Sequence, residues 1–273
     1  MQKTKITLST ISAAALLALA ACGGGGGDSA PATPQQPNNP PPAPTITVQG
    51  SASSVSADPL AVILVPQGST TSKTVSGTLS AANFAAQFQK TTSEGAYTQF
   101  GVDANSLVSL NSGKVVEVAG NGDFALGRWT DGGSTVGSIN SNQGSPYVVG
   151  KPLKLQQVLG INKTLACTLL ASTSPTAVSG NFPVGKVNSA VAVIDLNGPT
   201  LQSFNIDVAI GSDAHATASV TGSILNGVFI AQGVLQQVQT MGTSQTEPLL
   251  AFGYAIPTPS SGDVTGVVVL KCQ

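Results

Sequence analysis

Residues 203–210 alternate without a break: Phe204, Ile206, Val208 and Ile210 are apolar, and Ser203, Asn205, Asp207 and Ala209 between them are polar or small. A period of two assigns the two sets to opposite faces of an extended strand, one buried and one wet. The pattern recurs in 163–171, where Leu165, Cys167 and Leu169 share a face, and again at Ala190, Ala192, Ile194 and Leu196. It returns at Ala216, Ala218 and Val220, and at Val264, Val268, Leu270 and Cys272. Turn signals separate these runs: Asn121-Gly122, Asp131-Gly132-Gly133, Asn197-Gly198, Gly211-Ser212-Asp213 and Asn226-Gly227. Asn-Gly accepts the positive φ angles of tight hairpin turns, so a mostly antiparallel meander is expected.

One short helix is expected over 80–88, with Ser80 as N-cap and Ala81, Phe84, Ala85 and Phe88 on one stripe. The class is otherwise all-β. So many antiparallel strands must cover their edges, either in a two-sheet sandwich or in a closed barrel. The reading preferred is a small antiparallel barrel of about eight strands over 123–273, with a β-rich extension over 45–122.

The N-terminus reads as an address. Lys3 and Lys5 precede an apolar stretch that ends at Leu19-Ala20-Ala21-Cys22. A basic start, a short apolar run and small residues before a cut make an export signal, residues 1–21, because a spanning helix needs about 20 apolar residues. Leu19-Ala20-Ala21-Cys22 resembles the lipobox of bacterial lipoproteins. The resemblance implies that Cys22 becomes the mature N-terminus and carries diacylglycerol and palmitate-type acyl chains. Gly23 follows it, where an aspartate would resemble an inner-membrane retention signal, so the outer membrane is the expected destination. Each buried methylene contributes about 0.8 kcal/mol, and two or more chains anchor stably where one is marginal. Residues 22–44 read as a tether: five glycines at 23–27 supply flexibility, and seven prolines in 31–44 favour extended conformations.

With Cys22 assigned to lipid, Cys167 and Cys272 remain. In an exported chain an even remainder points to a bridge, the alternative being two buried thiols. Metal ligation by the pair is disfavoured, since neither has a Cys or His neighbour at ligand spacing.

Loss of 1–21 removes Lys3 and Lys5 and leaves nine basic against twelve acidic residues, a net charge of −3. Arg128 is the single arginine, and phosphate binding needs clustered Lys and Arg, so no nucleic-acid partner is expected. Charged residues are only 8% of the chain, well below the usual quarter or so, and solubility rests on Ser, Thr, Asn and Gln.

Catalysis needs a constellation, and none assembles from the sequence. His215 is the only histidine, on the polar face of its strand with Thr217 and Ser219, and Asp213 lies two residues back. A hydrolase triad would need an activated serine, yet no G-x-S-x-G elbow is present. Asp103, Asp123, Asp131, Asp195, Asp207, Asp213 and Asp263 show no glycosidase or calcium spacing. Asp207 falls on the wet face, and Asp123 and Asp131 fall at turn positions. The single tryptophan, Trp129, points opposite to Arg128 and is read as core or barrel plug, with ligand stacking as the alternative. Tyr97, Tyr147, Tyr254 and His215 are the available haem ligands, but no local pairing supports them. No enzyme activity, metal or cofactor is expected.

Gly127-Arg128-Trp129, Tyr147-Val148-Val149-Gly150, Thr173-Ser174-Pro175-Thr176, the run 222–229 and Gly253-Tyr254-Ala255-Ile256 follow one another in the last 150 or so residues. Their order resembles the small C-terminal barrel of transferrin-binding-protein-B-like surface lipoproteins. The resemblance implies an eight-stranded barrel on an outer-membrane lipoprotein, in some members with a host or nutrient protein as partner. The chain is too short for the two-lobed receptor pattern. The expected function is non-enzymatic binding of a protein or small ligand at the cell envelope, with a structural or envelope-assembly role as the alternative. Loops dominated by Gly, Ser, Thr and Gln weigh modestly against a receptor.

Overall fold

The computed structural model describes residues 45–160 and 163–273; the expected signal, Cys22 and the tether lie outside them. The fold is all-β. The first sheet comprises β1 (Ile46–Gly50), β2 (Leu60–Leu64), β3 (Leu79–Phe84), β4 (Lys90–Thr91), β5 (Tyr97–Phe100), β6 (Val108–Gly120), β7 (Phe124–Ser134), β8 (Gly137–Ile139) and β9 (Ser145–Gly150). Its order is β3-β2-β9-β7-β6-β5-β4, curved into a half-barrel, with β8 on β7 and β1 added parallel to β6.

The second sheet comprises β10 (Thr164–Ser172), β11 (Thr176–Ala177), β12 (Lys186–Asp195), β13 (Thr200–Ile210), β14 (Asp213–Ile224), β15 (Gly227–Ala231), β16 (Val234–Met241), β17 (Leu249–Thr258) and β18 (Gly262–Cys272). Eight of these run β14-β13-β12-β10-β18-β17-β16-β15, and β11 pairs with β18. The ladders are antiparallel and the sheet curls into a nearly closed barrel, as the sequence leads one to expect.

Three apolar layers hold the two sheets. The half-barrel encloses Trp129, Tyr147, Tyr97 and Phe100, and the barrel encloses Phe204, Phe252, Ile194 and Leu270. Between them, Ile63, Phe124, Leu126 and Val148 meet Leu235, Ala251, Ala255, Val267 and Val269. Strand β17 turns Ala251, Gly253 and Ala255 toward the half-barrel. A Cβ on Gly253 would stand 2.7 Å from Ile63 Cγ2, so this glycine sets how closely the sheets approach.

Three expectations are corrected. Residues 79–84 form strand β3, and only a 3-10 turn, Ala86–Phe88, follows it. An isolated helix of nine residues is marginal in water, whereas pairing with β2, Val62 opposite Ala81 and Leu60 opposite Phe84, gives this segment a ladder and lets Phe84 be buried. Ser80 caps nothing; its hydroxyl donates to the Gly227 carbonyl and accepts from Gln239 Nε2. The boundary expected at 122/123 falls within the β6–β7 hairpin, so 123–150 completes the half-barrel and the barrel strands begin at Thr164. Asp131-Gly132-Gly133 is no turn: it lies inside β7, with Asp131 at φ 51 beside a register shift and its carboxylate 2.8 Å from Lys114.

Candidate functional site

The barrel consists of two four-strand meanders, β10-β12-β13-β14 and β15-β16-β17-β18, which meet at two joints. The first joint, β10 against β18, is laced by a ladder and by the Cys167–Cys272 disulfide. Ala166 and Gln273 exchange both main-chain hydrogen bonds at 2.9 Å, so the cysteines occupy the adjacent non-hydrogen-bonded pair, where side chains stand closest.

The second joint is open. Strands β14 and β15 are consecutive in the chain, joined through Leu225-Asn226, yet no ladder links them. Asn226 sits at φ 60 and its Oδ1 accepts from the Thr240 amide, and Gly222, within β14, is at φ 63. One side chain spans the gap: Gln232, in the β15–β16 turn, accepts from the Thr221 amide at 3.0 Å and donates to the Thr221 carbonyl at 2.8 Å. Ile224, Val228 and Ile230 are exposed around this joint.

The inside of the barrel is filled. Phe204 and Phe252 stack at 3.8 Å between centroids, and Leu165, Ile194, Ile206, Val220 and Val268 close around them. The surface free for recognition is therefore outside. On the four strands turned away from the half-barrel, facing residues form rows: Thr168, Val191, Asn205 and Ser219 in one, Ala166, Val193, Ser203 and Thr221 in the next. These rows carry no charge. Leu170 and Val191 are about half exposed there.

His215 stands at the edge of this wall, on its wet face. Its partner is not Asp213. His215 Nδ1 lies 2.8 Å from Asp207 Oδ2, whereas Asp213 is buried and accepts from the Ser260 and Ser261 amides and the Ser261 hydroxyl. A bulge between Val208 and Ile210 shifts the register and parts the two residues that simple alternation puts on one face. Burial would raise the Asp213 pKa, but the serine hydrogen bonds outweigh it and hold the carboxyl below its ordinary range.

Arg128 and Trp129 point to opposite sides of β7, as expected. Trp129 is wholly buried in the half-barrel, stacked on Phe100, with its Nε1 donating to the Tyr97 carbonyl at 2.8 Å. Arg128 is buried too, and donates from Nε and Nη2 to the two oxygens of Glu117 at 3.1 and 2.8 Å. Glu117 sits in a bulge of β6 at φ 60 and also accepts from the Ser174 amide at 2.9 Å, tying the half-barrel to the barrel's β10–β11 loop. Burial pushes its pKa up, yet Arg128 and Ser174 more than offset this and leave it lowered. Gln67 and Gln143 both donate to the Val178 carbonyl, and Asp263 accepts from Thr71, which strengthens the same junction. Sequence reasoning missed Glu117 and Gln232; the lone arginine was a signal for the former, since a buried guanidinium needs a carboxylate.

Tyr97 and Tyr147 belong to the half-barrel core and Tyr254 to the barrel core, so the tyrosines and His215 do not converge. Asp123 pairs with Lys151 at 2.8 Å. Among the described residues no three metal-ligating side chains gather. Open clefts of about 380 Å³ beside Val184, Lys186 and Ile210 and about 320 Å³ beside Leu79, Leu107 and Val136 bring no acid and base together. Comparison with protein-family models, curated proteins and solved structures finds no match.

Proposed function

We propose that the protein is a non-enzymatic, lipid-anchored lipoprotein of the bacterial outer membrane whose barrel binds a protein at the cell envelope. The anchor rests on Leu19-Ala20-Ala21-Cys22. The observation that carries the binding reading is the filled barrel: with Phe204 and Phe252 stacked in its centre, recognition falls to the outer wall, and a convex wall with exposed uncharged rows suits a macromolecule better than a small ligand. The resemblance to transferrin-binding-protein-B-like lipoproteins rests on the order of the sequence motifs.

A structural or envelope-assembly role is favoured by one observation, the hydrogen-bonded junction through Glu117, Ser174, Gln143 and Val178, which suits a spacer as well as a receptor. The two readings share the anchor and differ in the partner. The test is palmitate-analogue labelling of cells followed by cross-linking and purification of the full chain from membranes. Wild type is expected to carry label and a cross-linked polypeptide, and Cys22→Ala to carry no label and leave the membrane fraction. Retention of Cys22→Ala in membranes would refute the anchor, and a labelled chain with no cross-linked polypeptide would refute the binding role.

A further inference from the structure

The open joint has the chemistry of a strand-addition site, and we infer that an extended, uncharged segment of a partner protein pairs with the free edge of β14 in place of the Gln232 carboxamide. The inference rests on the binding reading above and names its partner class.

In an antiparallel strand the N–H and C=O of one residue point to the same side, and successive residues alternate. The main-chain groups of Thr221 meet Gln232 and so point away from β13. No register shift intervenes between Ala216 and Thr221, so Thr217 and Ser219 present their groups on the same free edge. All three residues are exposed.

Across the joint, β15 turns into β16 through Gln232-Gly233, with Ala231 opposite Val234. A two-residue turn closes on a hydrogen-bonded pair, so Ala231, Phe229 and Gly227 bond to β16, while Val228 and Ile230 turn their main-chain groups outward. Their side chains are exposed as well. Two unpaired edges therefore flank the gap.

Gln232 shows what fits there. By bonding both the N–H and the C=O of one residue at 3.0 and 2.8 Å, its amide reproduces the hydrogen-bonded pair that a neighbouring strand would form. Edges are commonly protected by lysine, proline, bulges or shortness. β14 spans 12 residues and contains neither lysine nor proline, and its bulge lies near its start, before Ala216, leaving 216–221 in regular register. The occupant's chemistry follows from the surroundings: main-chain pairing with Thr217, Ser219 and Thr221, aliphatic side chains beside Val228 and Ile230, and no charge to set against the uncharged rows of Ser219 and Thr221, since Asp207, opposite Thr217, is already bonded to His215. Main-chain hydrogen bonds give such a complex its affinity, and side-chain pockets its selectivity.

The test uses the full chain and a labelled heptapeptide of alternating threonine and valine, with a second peptide N-methylated on alternate amides as control. Affinity is read by fluorescence polarisation and the contact by amide hydrogen exchange. The first peptide is expected to bind and to slow exchange at Thr217, Ser219 and Thr221. Gln232→Asn keeps a residue suited to the positive φ but is one methylene too short to reach Thr221. Removal of that competitor is expected to tighten binding about fivefold, its two exposed hydrogen bonds taken together at the low end of their net worth. Thr221→Pro, tolerable on an edge strand, is expected to abolish it. Equal binding of the methylated peptide, no binding to either wild type or Gln232→Asn, or β14 protection that tracks dimerisation in sedimentation would each overturn the inference, the last by making a second copy the occupant. A cross-linked partner that survives in Thr221→Pro would leave the binding reading intact while moving it to another surface.

Discussion

Removal of the Cys167–Cys272 bridge is the most quantitative perturbation of the barrel. The cysteines are 105 residues apart in sequence, and for a loop of that size the chain-entropy model gives about 4.7 kcal/mol. Both side chains are buried, so Cys167→Ala/Cys272→Ala avoids stranding a hydroxyl in the core and isolates the cross-link. The ladder between β10 and β18 persists without sulfur, with Ala166 and Gln273 still paired. The double variant should therefore fold but lose about 4–5 kcal/mol, a large share of the 5–15 kcal/mol typical of whole domains. Urea unfolding followed by tryptophan fluorescence and far-UV circular dichroism measures the loss. The slope is expected to rise, because the uncoupled unfolded chain exposes more surface. A loss below about 1 kcal/mol with coincident transitions would refute the claim that this bridge restrains the unfolded chain.

Glu117→Gln leaves Arg128 buried without its counter-charge and is expected to cost about 2–4 kcal/mol in the same assay, against little change for an exposed pair such as Lys114 with Asp131. Glu117 and Asp213 both have lowered pKa values, so their stabilisation is complete above their ordinary values of 4.5 and 3.8 and is lost as pH falls through the depressed ones; acid unfolding monitored from pH 6 downward should show it, with Glu117→Gln giving a flatter profile. Burial pushes Tyr97 up to about 12 and raises Tyr147 and Tyr254 further, so stability from all three is complete below pH 10 and lost as pH rises, and tyrosinate absorbance is expected only with alkaline unfolding. His215→Ala removes an exposed partner of Asp207 and is expected to cost about 0.5 kcal/mol by denaturant titration.

The strands legible in the sequence were those with one wet face. Phe204, Ile206, Val208 and Ile210 are all buried and the residues between them are not, because the outer wall of β13 meets water. Strands β2, β9 and β18 are covered on both sides, by their own sheet's core and by the facing sheet, so Leu60–Leu64 and the run 267–270 read as unbroken apolar stretches with no face to assign. That is also why the half-barrel's share of the chain was underestimated. The disulfide was legible from parity and from the apolar side on which each cysteine falls. The Asp213 and His215 pairing was not, since a bulge is invisible to a period-two count. Gln232 was illegible as well: its role depends on two strands that adjoin in sequence without pairing, which no local pattern of residues announces.

The binding role is tested most directly by a photo-crosslinking side chain placed in the full-length protein at Ser219, on the outer wall, or at Ser93, an exposed position of the half-barrel. After irradiation in cells, the Ser219 derivative is expected to form a discrete adduct with another polypeptide, the Ser93 derivative none, and the adduct is expected to vanish when Cys22→Ala removes the anchor. No adduct at Ser219, or adducts of equal yield at both positions, would contradict a protein-binding barrel wall.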